Sequence, residues 1–309
     1  MFGFINCLCL LACAVAYVAC SSDSGTAVPQ QASSYDEPDS SYEGSSSLYD
    51  SRDGCGTLCG IGYSSNSMGE DHFNSLSVSS TSPSISSPSE TSSSSSSYTQ
   101  PISYGTLVDT RDGQTYKTVT IGNQIWMAEN LNYATAEKSY CYGGVAANCD
   151  KYGRLYTWPA AMDSAGTWST NGKGCGYGSA CSVAFAGSAT LVRGVCPEGW
   201  HLPTQTEWET LFTAVGGQST AGQKLKAASG WTAYSGIINE DAFGFSALPA
   251  GDDLLGYYHG EGNKAHFWSS TEYNSRDAYY MRLYCGNDYA YLEDHDSKHY
   301  GFSVRCLKD

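Results

Sequence analysis

From residue 105 onward, the spacing of hydrophobic and polar positions predicts the elements of one domain. In "GTLVDTRDGQTYKTVTIGNQIWMAENL" (105–131) the run "TYKTVTI" alternates strictly, as a half-buried strand requires. Asp112-Gly113 and Gly122-Asn123 break the pattern and predict two-residue hairpin turns, so the segment reads as a three-strand meander. "GRLYTWPAAMDSA" (153–165) takes helical spacing after Pro159 and predicts a short helix. In "GWHLPTQTEWETLF" (199–212), Thr204 followed three residues later by Glu207 is a capping box. Trp208, Leu211, Phe212 and Val215 then fall on one helical face, and Gly216-Gly217 stops the helix. Glu207 is therefore expected to start a helix and not to do chemistry.

A weaker helix fits 221–229, and strands fit 243–251, 265–273, 277–285, 289–294 and 300–308. Strands first, one or two helices in the middle and strands last predict an α+β domain with an antiparallel sheet.

Upstream the composition changes. Residues 21–104 hold 30 serines in 84 positions, ten acidic residues and Arg52 as the single base, a formal charge of −9. Residues 105–309 carry −6, all seven tryptophans and 17 of the 24 tyrosines. Serine-rich, aromatic-poor sequence cannot bury enough apolar surface to offset its ordering entropy. Residues 20–104 are thus expected to form a disordered tether, with an r.m.s. reach of roughly 50 Å, in front of a domain at 105–309. An acidic chain with no basic stripe argues against nucleic acid and anionic lipid head groups.

The apolar run Phe2–Val18, ending in small residues before Cys20, reads as an export signal over residues 1–19. "YVAC" resembles a bacterial lipobox, which implies cleavage after Ala19 and a lipid on Cys20 that anchors the chain in a membrane. An ordinary cleaved signal and an uncleaved anchor stand as alternatives; Tyr17 occupies the usual leucine position and the n-region has no Lys or Arg.

Export gives the cysteines their meaning, since an oxidising compartment favours disulfides over metal ligation. Local pairs are expected at Cys55–Cys59, Cys141–Cys149 and Cys175–Cys181, with Cys196–Cys306 tying mid-domain to its end. Cys285 is left over or competes for Cys306. No second pair at finger spacing follows Cys55 and Cys59, which argues against zinc.

Together "IWMAENL" after Gly122, "CPEGWHLPTQTEWE", "FWSSTEY" and "YGFSVRCLKD" resemble the Fibrobacter succinogenes major paralogous domain, from about Val108 to Asp309. That resemblance implies an exported, often lipidated bacterial protein without an assigned reaction. It also implies kinship with the C-type lectin-like fold, through the formylglycine-generating-enzyme domain, in which "LPTxxEWE" (here Leu202–Glu209) opens a helix. The enzyme's reactive cysteine pair has no counterpart in the flanks of Cys285 and Cys306.

Of the remaining chemistry, His295 and His299 in "EDHDSKH" (293–299) are expected on a loop joining two strands, which does not bring them together. Calcium needs six to eight oxygens, and Asp252, Asp253, Glu261, Asn263, Glu272, Asn274 and Asp277 offer candidates, though without the sugar-binding motifs of C-type lectins. No cofactor is expected. Tyr257 and Tyr258, in a glycine-flanked acidic loop, have a composition suited to stacking on sugar rings or to protein recognition. With Trp268 they complete the ligand-binding candidates. The sequence thus favours a non-catalytic, surface-tethered module recognising polysaccharide or a surface protein, in the cell envelope and facing outward from the outer membrane. A structural envelope protein and an exported enzyme are the alternatives.

Overall fold

The computed structural model describes residues 101–136 and 138–309. The expected signal, tether, Cys20 lipid and Cys55–Cys59 pair lie outside the described residues, apart from the tether's last four positions.

The meander forms as the alternation predicts: β1 (Tyr104–Val108), β2 (Thr115–Ile121) and β3 (Gln124–Met127) pair in antiparallel succession. Gly122-Asn123 makes the tight turn, with Gly122 at φ 60°. The first turn is longer than predicted. Val108 pairs with Thr115, and residues 109–114 loop out, held by the Asp109 amide donating to the Gln114 carbonyl at 2.8 Å.

Next come β4 (Ser139–Tyr140), α1 (Ala146–Tyr152), β5 (Leu155–Thr157) and α2 (Trp158–Ala161). α1, unforeseen in the sequence, ends at Gly153. There φ is 75°, and a Cβ would meet the Asn130 carbonyl at 2.9 Å. α2 is the expected short helix, a single turn with Pro159 at its start. β6 (Trp200–His201) leads into α3 (Gln205–Ala214), which carries the full capping box and buries Trp208, Leu211 and Phe212. α4 (Gln218–Leu225) starts and stops earlier than 221–229.

The strand expected at 243–251 does not form. Asp241, Gly244 and Ser246 all take positive φ, and the Asp241 carboxylate accepts from the Ser246 amide and hydroxyl at 2.7 and 2.6 Å. A side chain that satisfies its own backbone locally competes with a ladder. The sheet resumes with β7 (Asp252–Leu254), β8 (Tyr257–His259), β9 (Lys264–Glu272), β10 (Asp277–Tyr284) and β11 (Ala290–Ser297). β11 runs through Glu293–Asp296, so His295 sits in a strand and not in the expected loop. As an edge strand beside β10, β11 tolerates such a charge run.

The final strand, expected whole at 300–308, is divided into β12 (Gly301–Phe302) and β13 (Leu307–Lys308), which join different sheets. One five-stranded sheet has the order β1-β2-β3-β13-β6, another β4-β5-β12-β7-β8, and a three-stranded sheet β11-β10-β9 completes the domain. Mixed α+β architecture with mainly antiparallel sheets is therefore observed. Between β12 and β13, Arg305 is wholly buried and donates to Asn130 Oδ1 at 2.6 Å and to the carbonyls of Met127, Phe245 and Ser246. Its guanidinium thereby joins the 127–130 segment at the end of β3 to the 245–246 loop.

Two aromatic clusters fill the interior. Trp126, Trp208, Phe245 and Phe267 pack under the helices, and Trp158, Trp268, Tyr280 and Phe302 pack between sheets. The three expected domain disulfides, Cys141–Cys149, Cys175–Cys181 and Cys196–Cys306, are all formed. Cys285, left over in the sequence reading, is disulfide-bonded as well.

Candidate functional site

The ten ligand-binding candidates do not converge. Trp268 is completely buried, stacked on Phe302 at 4.3 Å, with its Nε1 donating to the Tyr156 carbonyl at 2.7 Å. No ligand reaches it, which removes it from the expected set. Glu272 pairs with the buried Lys298 and accepts from the Cys181 amide at 2.9 Å. It fastens the Cys175–Cys181 loop to β9.

Asn274 and Asp277 close their own turn. Asn274 Oδ1 accepts from the amides of Arg276 and Asp277, and its Nδ2 donates to Asp277 Oδ2. Asp252 and Asp253 lie buried in β7. Burial pushes the Asp252 carboxyl up to about 7, with Lys264 opposing and Asp296 and Asp253 reinforcing the shift. Its oxygens sit 3.3 Å from His266 Nδ1 and 3.8 Å from His259 Nδ1. Among these candidates the β7–β8 hairpin keeps exposed surface: Tyr257 is 74% exposed, while Tyr258 packs edge-on against Tyr142. Glu261 accepts from the Tyr152 hydroxyl at 3.0 Å, and the Asn263 amide reaches the Glu261 carbonyl at 3.4 Å.

Among the described residues no group of three or more His, Cys, Asp or Glu is arranged to hold a metal ion. His295 contacts Asp294 at 2.6 Å, whereas His299 stacks on Tyr177 at 4.1 Å.

A different site is assembled by residues the sequence did not single out. Past β3 the chain loops outward, held by the Asn132 amide donating to the Tyr116 hydroxyl at 3.0 Å. The Tyr156 hydroxyl donates to the Tyr133 carbonyl at 2.7 Å. This fixes the Tyr133 backbone beside α2. After α2, Asp163 adopts φ 55° and accepts from the amides of Thr167, Trp168 and Ser169 at 2.9, 2.6 and 3.0 Å. Arg193 adds a hydrogen bond to the Trp168 carbonyl at 3.3 Å. Trp168 is thereby set edge-on to Tyr133, their centroids 5.5 Å apart at 87°. Arg111 locks the pair from the β1–β2 loop. It is gripped by Asp109 through two hydrogen bonds of 2.8 and 2.6 Å, and lies 3.9 Å from the Tyr133 centroid and 5.0 Å from that of Trp168.

The result is a cleft of about 540 Å³ lined by Tyr133, Thr135, Lys138, Pro159, Asp163 and Trp168 among others. That volume lies within the range of small-ligand sites. Its aromatic walls are preorganised by bonds made elsewhere, so little ordering is left for a ligand to impose. Tyr133 and Trp168 carry no periodic signal, because each is a lone aromatic among small polar residues. That isolation is itself a usable signal, since such rings have no periodic face to bury.

Glu207 is resolved as well. Its carboxylate accepts from the Thr204 amide and hydroxyl at 2.8 and 2.9 Å and meets His201 Nε2 at 3.0 Å. His201 Nδ1 contacts Asp309 Oδ1 at 2.7 Å. Burial works against the imidazolium, but hydrogen bonds with Glu207 and Asp309 outweigh it and raise the His201 pKa. Burial likewise opposes the Glu207 carboxylate, and its bonds with His201 and Thr204 prevail to lower its pKa. Both imidazole nitrogens are occupied and the ring is buried. A carboxylate–histidine–carboxylate array that shuttled protons would need one nitrogen open to a substrate. Here the array ties the chain end to the α3 cap.

A family model described as the Fibrobacter succinogenes major domain matches residues 119–308. No curated protein and no solved structure matches the chain.

Proposed function

Because the chain belongs to the Fibrobacter succinogenes major domain family, whose model covers most of its folded part, we propose a non-catalytic binding module, exported and tethered to the cell surface, that recognises polysaccharide. The outer membrane location and lipid anchor of this reading rest on the "YVAC" stretch. Its lectin-like kinship rests on the motifs.

The observation that carries the binding reading is the preorganised Tyr133–Trp168 cleft. Aromatic rings offer an apolar surface to the C–H faces of a sugar ring. Thr135, Ser164 and Thr167 place hydroxyls around them for sugar hydroxyls. Asp163 is committed to three backbone amides, and Arg111 to Asp109, so these groups position the walls.

The test is retention of the full chain on a glycan array and on immobilised polysaccharides, with and without calcium. Binding that is lost in Trp168→Ala, with the circular dichroism spectrum unchanged, is the expected result. Uniform absence of retention would sink the proposal in favour of a structural envelope protein. Turnover of a bound glycan would instead favour an exported enzyme.

A further inference from the structure

We infer that the ligand is an electrically neutral glycan chain bound along its length, in two subsites divided by Tyr133. This deepens the polysaccharide reading and depends on it.

The first argument is spatial. A second hollow, of about 590 Å³, borders the cleft and shares Tyr133 with it. The backbone around Tyr133 forms the divide, with Asn132 and Ala134 lining the second hollow and Thr135 and Ala136 the first. Each hollow alone has the size of a small-ligand site. A ligand that fills both must cross the Tyr133 ridge, which a single sugar does not do and a chain does.

The second argument is charge. Close to the site most charges are already committed: Arg111 to Asp109, Asp163 to backbone amides, and Asp112 to the amide and side chain of Gln114 at 3.0 and 2.6 Å. Among the described residues, what remains around the two hollows is Lys138 and Arg154 against Asp150. This small positive excess disfavours a polycation at short range. At long range the chain's formal charge of −15 repels a polyanion before it arrives. A neutral polymer meets neither obstacle. Asn132 lines the second hollow with an amide side chain, as the threonines and serine line the first with hydroxyls, while the Gln114 amide nitrogen is held by Asp112 and the Asn132 carbonyl.

The experiment is calorimetric titration of the full chain with neutral hexose oligomers of one to six residues, beside a uronate oligomer of matched length. Affinity should rise at least tenfold between the monomer and the tetramer and then level off, while the uronate binds at least tenfold more weakly. Tyr133→Ala should erase the length dependence, and Tyr133→Phe should preserve it. If Tyr133→Ala fails to fold, Ala136→Trp at an exposed position fills the first hollow and should remove the same gain. Equal affinity for monomer and hexamer overturns the two-subsite inference while the binding-module reading stands. Preference for the uronate overturns the neutral ligand. A folded protein that binds no oligomer overturns the reading beneath both.

Discussion

Replacing Glu207 with alanine removes three contacts at once: the acceptor for the Thr204 amide, the acceptor for its hydroxyl, and the partner of His201. Loss of a helix cap costs about 1 kcal/mol, and hydrogen bonds to charged groups about 1.5–3 kcal/mol. The carboxylate is 23% exposed, so part of the ionic contribution is screened. A total of roughly 2–4 kcal/mol follows, or a fall in Tm of roughly 5–15 °C for a domain of this size.

The pH dependence is a sharper test. Glu207 has a lowered pKa, so its contribution is present above its ordinary value of 4.5 and fades as pH falls through the folded value. His201 has a raised pKa, so its contribution is complete below its ordinary value of 6.5 and is lost as pH rises through the folded value. The stability gap between wild type and variant should therefore be widest between those two ordinary values and narrow on either side. Denaturant titration at a series of pH values measures it. A gap that stays flat across the series would refute the ionic part of the account. Unchanged stability with lost glycan binding would refute the structural assignment altogether.

Further expectations concern other parts of the fold. The Cys196–Cys306 bridge closes a sequence separation of 110. Replacing both cysteines with serine should cost about 4–5 kcal/mol in the chain-entropy model, read by urea titration, and a loss under 1 kcal/mol would contradict it. Trp268→Ala should destabilise by roughly 3–5 kcal/mol and leave glycan affinity unchanged wherever the protein stays folded; selective loss of binding would return Trp268 to the ligand set. Asp252, an acid whose pKa is raised on folding, lowers stability as pH rises from its ordinary value toward 7. Asp252→Asn should remove that decline in a pH series of melting temperatures, and an undiminished decline would place its source elsewhere.

Much of the fold was legible because the relevant interactions are short-ranged. The Gly122-Asn123 turn, the Thr204–Glu207 cap and the apolar face of α3 depend on residues within a few positions of each other. The Cys141–Cys149 and Cys175–Cys181 bridges were legible for the same reason. Errors arose where local signals met distant partners. Residues 243–251 look like a strand, yet the Asp241 side chain takes the Ser246 amide and hydroxyl. Residues 300–308 also look like one strand, yet Arg305 takes acceptors from two separate segments, 127–130 and 245–246, and the run is divided around it.

The candidate site shows the same division. Composition directed attention to aromatic and polar residues in the 252–277 region, where the acids are buried or paired and the tryptophan lies in the core. Sequence alone determined the β1–β3 meander, the start of α3 and the two local disulfides, since these follow from periodicity and proximity along the chain. Only the tertiary structure decided which aromatics stay at the surface, because Arg111, Tyr133 and Trp168 come from three separate loops. Their meeting depends on where the sheets and α2 carry them, and no local pattern encodes that distance.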